Sequence, residues 1–99
     1  MQVQIHSIHF DADKKLIDFI EDKLEKLRLF HSQIISAEVT LKVDKADNRE
    51  NKVSEIKLAV PGKELFAKKQ SKSFEEATDQ AVDALRKQIE KHKTKTMDH

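Results

Sequence analysis

The stretch "IISAEVTLKVDK" alternates with a period of two. Ile35, Ala37, Val39, Leu41 and Val43 fall on one side, and Ser36, Glu38, Thr40, Lys42 and Asp44 on the other. That regularity predicts a strand with one face against a core and one face in water. Residues 2–7 alternate in the same way, with Val3 and Ile5 set against Gln2, Gln4 and His6, and the phase breaks at Ile8 and Phe10. "VSEIKLAV" predicts a third strand with Ile56, Leu58 and Val60 inward. Pro61 and Gly62 then form a turn, with the chain's single glycine where positive φ is needed. "KELFAKKQ" returns as a fourth strand with Leu65 and Ala67 inward, which leaves Phe66 on the open face.

Two segments follow the helical period instead. Asp13 is a plausible N-cap for a helix from Lys14 to about Leu29, in which Leu16, Ile20, Leu24 and Leu27 make one apolar stripe with Ile17 beside it. Phe19 lies off that stripe, at its edge. "SFEE" at Ser73 is a capping box, in which the Ser73 hydroxyl meets the Glu76 amide. The helix it opens buries Phe74, Ala77, Ala81, Leu85 and Ile89, with Val82 alongside. The pattern stops beyond Lys95, and "TMDH" is expected to fray.

The predicted order is β-α-β-β-β-α, an α+β fold. A crossover makes the first two strands parallel and hairpins join the rest, giving a four-stranded mixed sheet with both helices packed on its one apolar face. "DKADNREN" supplies a polar loop between the second and third strands. Residues 1–95 form a single domain and 96–99 a tail. Strict patterning matters because only 37% of the 99 residues are hydrophobic and 37% are charged.

The chemistry is limited by what is missing. There is no cysteine, hence no disulfide and no thiolate metal site. A single glycine excludes a glycine-rich phosphate loop, and no serine sits in a nucleophile elbow. His6, His9, His31, His92 and His99 match no zinc-site spacing. The carboxylates are interleaved with lysines on helix surfaces, as expected of i to i+4 pairing. The expectation is therefore no enzyme, no cofactor and no small-molecule substrate. No run is long enough to span a membrane. "MQVQIHSIHF" lacks a basic start followed by an apolar run, so it is not read as a secretory signal, and the expected location is the cytoplasm.

The net charge of +1 hides an uneven distribution. "LRKQIEKHKTK" holds Arg86, Lys87, Lys91, His92, Lys93 and Lys95 against Glu90 alone. Lys68, Lys69 and Lys72 precede the same helix, and Lys23, Lys26 and Arg28 occupy the later half of the first. Acids collect at the helix starts, including Asp18, Glu21, Glu75 and Asp79. Complementation of the helix dipoles accounts for this arrangement. So does a surface for RNA phosphates, if the helices run parallel and their basic ends lie side by side as one positive edge. With no Trp or Tyr, such contact is to backbone and shape.

"KLEKL" at 23–27, "AEVTLKVDK" at 37–45, "VPGKELFAKKQSKSFEEATDQAVDAL" at 60–85 and "KQIEKHKTK" at 87–95 together resemble the ribosome hibernation-promoting factors, which include the ribosome-associated inhibitor called protein Y. The resemblance covers nearly the whole chain and is that of a short member. It implies a fold similar to double-stranded-RNA-binding domains. It also implies a non-enzymatic bacterial protein, active in stress or stationary phase, that binds small-subunit ribosomal RNA and occupies the messenger and transfer RNA channel at the decoding sites. The family's basic helix positions correspond to Lys23, Lys26, Arg28, Arg86, Lys87, Lys91, His92, Lys93 and Lys95; Lys68 and Lys69 are added from the adjoining strand. The free protein is expected to be a monomer. The alternative is a small protein–protein interaction domain that docks its partner on the open sheet face around Lys57, Phe66 and Lys68.

Overall fold

A computed structural model describes residues 1–44 and 49–97, and for 92–97 the backbone only. The expected loop residues 45–48 and the last two residues of the tail lie outside the described residues. The element order is β1 (Gln2–Ser7), α1 (Lys14–Phe30), β2 (Ser36–Val43), β3 (Lys52–Val60), β4 (Lys63–Ser71) and α2 (Phe74–Met97). The sheet runs β1-β2-β3-β4, with β1 parallel to β2 and the other pairs antiparallel.

Local chemistry fixes the element ends as the pattern predicts. The Asp13 carboxylate accepts from the Leu16 amide at 2.9 Å and starts α1. The Ser73 hydroxyl accepts from the Glu76 amide at 3.1 Å and starts α2. Gly62 turns the β3–β4 hairpin with φ +76° behind Pro61, the pairing a type II turn requires. α2 runs to Met97, two residues past the end expected at Lys95.

The core lies between the sheet and the helices. Leu16, Ile20, Leu24 and Leu27 of α1 meet Ala81, Leu85 and Ile89 of α2 over Val39, Leu41, Ile56 and Leu58 of the sheet. Phe10 and Phe74 stack with centroids 4.9 Å apart, tying the segment after β1 to the first turn of α2.

Two ends of the β2 alternation depart from expectation. Ile35 is 58% exposed just ahead of β2, outside the residues paired with β1, while Ile34 is buried in its place. Val43 is 47% exposed, since β1 has ended opposite Leu41 and no strand flanks that side of it. Val53, Ser54 and Thr78 are buried although the apolar pattern did not mark them.

Candidate nucleic-acid interface

The direction of the helices follows from the sheet. β1 and β4 both run parallel to β2, and each feeds a helix that returns across the same face. α1 and α2 are therefore parallel to each other. Lys23 Nζ lies 2.8 Å from Asp79 Oδ1, and the Arg86 guanidinium sits 4.8 Å from the centroid of the Phe30 ring. The same sequence spacing separates both pairs, so the helices also run in step.

Between them lies a groove of about 320 Å³, floored by Leu27 and Val82 and rimmed by Lys23, Lys26, Phe30, Asp79, Asp83 and Arg86. It brings together Lys23, Lys26 and Arg86. The positive edge differs from the expected one in its extent. α1 stops at Phe30, level with Arg86, whereas α2 continues to Met97, about 16 Å further at about 1.5 Å per residue. Positions 87, 91 and 95 recur at helical spacing along this projecting end, which also carries positions 92 and 93. The side chains of His92, Lys93 and Lys95 lie outside the described residues.

Other expected members lie apart. Arg28 turns to Glu25, which shares a different groove with Met1 and Val3 on the far flank of α1. The guanidinium holds the Glu25 carboxyl below its usual range by hydrogen bonding, and the Arg28 value rises for the same reason. Lys68 lies on the open sheet face opposite Glu55, while Lys69 pairs with Ser54 and so faces the helix layer. The buried Thr78 hydroxyl meets Ser54, which places Lys69 level with the first turns of α2 and away from its basic end.

Several of these cations already have partners. Besides Lys23 and Arg28, Lys26 pairs with Asp22 at 3.2 Å and Lys87 with Asp83 at 3.2 Å. Exposed pairs of this kind contribute about 0–1 kcal/mol and exchange readily for another anion. Lys68, Lys69 and Lys91 form no ion pair among the described residues.

Two aromatic supports escaped the sequence reading. Phe30 lies under Arg86, and Phe19 lies 5.5 Å from the Lys23 ammonium. Phe19 was visible as an off-stripe aromatic, and its contact with Lys23 is an i to i+4 neighbour on α1 that helical spacing allows. The Phe30–Arg86 contact depends on the helix offset, which periodicity does not carry. Gln88, which donates to the Phe66 carbonyl at 2.9 Å, also gave no signal. Among the described residues no three metal-binding side chains gather.

Comparison with known proteins adds a second line of observation. The family model described as Sigma 54 modulation protein / S30EA ribosomal protein matches residues 3–97. The ribosome hibernation promoting factor of Pseudomonas putida is 33% identical over 95 residues, spanning 96% of this chain and 89% of that protein. The factor of the same name from Escherichia coli K12 is 30% identical over 99 residues, the whole of both chains. The structure of a ribosomal subunit interface protein from Coxiella burnetii superposes with a TM-score of 0.84, covering 95% of this chain and 99% of that one at 20% identity, a likeness of fold.

Proposed function

The chain belongs to the Sigma 54 modulation protein / S30EA ribosomal protein family, and on that premise we propose that it is a ribosome hibernation factor acting by occupancy, without catalysis. It docks the cationic side of its helix layer on small-subunit ribosomal RNA and holds its folded body in the channel that messenger and transfer RNA use at the decoding sites. Its setting is the bacterial cytoplasm in stress or stationary phase, and it meets the ribosome as a monomer. The observation that carries the reading is the parallel, in-step helix pair, which sets Lys23, Lys26 and Arg86 together at the root of a projecting basic helix end. Each phosphate neutralised releases counterions, so such binding weakens steeply with salt.

The test is co-sedimentation with purified small subunits across a salt series. Stoichiometric binding at low salt, lost at high salt, is expected. Reversal of Lys87, Lys91 and Lys93 to Glu is expected to abolish it while leaving the fold intact by circular dichroism. Undiminished binding by that variant at moderate salt would count against this surface. Loss of binding on Phe66→Ala with little salt dependence would favour the open face, where Phe66 is 52% exposed.

A further inference from the structure

The two edges of the sheet are built differently. β4 carries exposed Lys63, Glu64, Lys68 and Lys69, and Gln88 occupies the Phe66 carbonyl. Charged side chains and a covered backbone are how sheet edges avoid pairing with other chains. β1 has no such protection. Its residues Gln2–Ser7 include no Lys, Arg, Asp, Glu or Pro, and no segment pairs with its outer side among the described residues. The Gln2 amide donates to the Ile35 carbonyl at 3.3 Å and the Ile8 amide to the Leu41 carbonyl at 2.9 Å. In a parallel ladder alternate residues bond to a given neighbour, so Val3, Ile5 and Ser7 direct both N–H and C=O outward. Val3 and Ile5 are also only half-buried.

The surroundings of this edge select its occupant. Asp18, Glu21, Asp22 and Glu25, on the outer flank of α1, share a groove of about 580 Å³ with Met1 and Val3. Three of these carboxylates have cations on their own helix, Lys14, Lys26 and Arg28, in exposed pairs that another cation can replace. Glu21 forms no ion pair among the described residues. A second copy pairing β1 with β1 about a two-fold axis would set two such acidic flanks against each other. An extended segment with Lys or Arg at alternate positions meets both demands, bonding to the backbone and placing its cations under α1.

We infer that the β1 edge is a docking site for a basic, extended polypeptide segment, added as a fifth strand beside the acidic flank of α1. The site lies on the opposite side of α1 from the interhelical groove, so it is independent of the RNA surface proposed above.

The experiment titrates the ¹⁵N-labelled full chain with a peptide of about ten residues alternating Lys and Thr. The control is the same Lys–Thr peptide with every backbone amide N-methylated, which keeps the charge and lacks the N–H donors a strand needs. Expected are saturable shifts at residues 2–8 and on the flank of α1, slower hydrogen exchange at the Val3, Ile5 and Ser7 amides, and little effect of the control. The double variant D18K/E21K, on an exposed helix face, is expected to bind about tenfold more weakly. Equal response to both peptides reduces the effect to charge attraction and overturns the proposal. So does an unaltered affinity in D18K/E21K, the absence of shifts at millimolar peptide, or a concentration-dependent dimer that protects the same amides without peptide.

Discussion

Ser54 and Thr78 are fully buried, and the Thr78 hydroxyl lies 3.1 Å from the Ser54 hydroxyl, linking β3 to α2 through the core. Losing one partner of a buried hydrogen bond costs more than the bond itself contributes, because the other group stays dehydrated. Thr78→Val is therefore expected to destabilise by about 1–3 kcal/mol. Ser54→Ala combined with Thr78→Val is expected to cost less than the two single changes added together, as urea unfolding of the four proteins would show. At the surface, Glu25 is expected to titrate below an ordinary glutamate in an NMR pH series, and Arg28→Gln to return it towards the ordinary value. Because the folded value is the lower one, any stabilisation is complete at neutral pH and is lost as acid protonates the folded carboxylate. Salt narrows the difference, since both groups are exposed.

At the scale of the element, small side chains determine how closely α2 approaches the sheet. Ala77 and Ala81 are fully buried, so a larger residue has no space without displacing the helix. Ala81→Leu is expected to cost about 1–3 kcal/mol in chemical denaturation despite adding apolar surface. The apolar stripes of both helices and the alternations of all four strands were legible because period alone decides which face is covered. What period does not carry is where cover ends: Ile35 and Val43 keep the alternation but fall outside the Ser36–Leu41 stretch that pairs with β1. Nor does it identify a polar residue that will be buried with a partner distant in sequence, as Ser54 and Thr78 are. The parallel sense of the helices was foreseeable from the strand order, but their offset was not, since it depends on helix lengths and on the contacts at Asp79 and Phe30. That offset sets Lys23 and Lys26 beside Arg86 at one groove, whereas helix phase turns Arg28 away and the β3–β4 register places Lys68 and Lys69 elsewhere.

At the scale of the whole molecule, a net charge of +1 combines an acidic flank on α1 with a cationic side towards α2. The salt series with small subunits therefore reports local charge: the slope of log affinity against log salt is expected to count several phosphates, at roughly 0.7–0.9 per contact. Arg86 has a particular place in that docking. Its guanidinium already rests on the Phe30 ring, a contact of about 0.5–1 kcal/mol that favours this rotamer before any partner arrives. A lysine on an open helix surface surrenders about 0.5–1.5 kcal/mol of rotamer freedom when it is pinned. In the docked state proposed above, Arg86 gives up less, and its planar fork is able to bridge two phosphate oxygens. The cations of this surface are thus unequal: Arg86 and Lys23 rest on rings and Lys91 does not, and exchanging Arg86 for lysine would remove the planar fork without changing the charge.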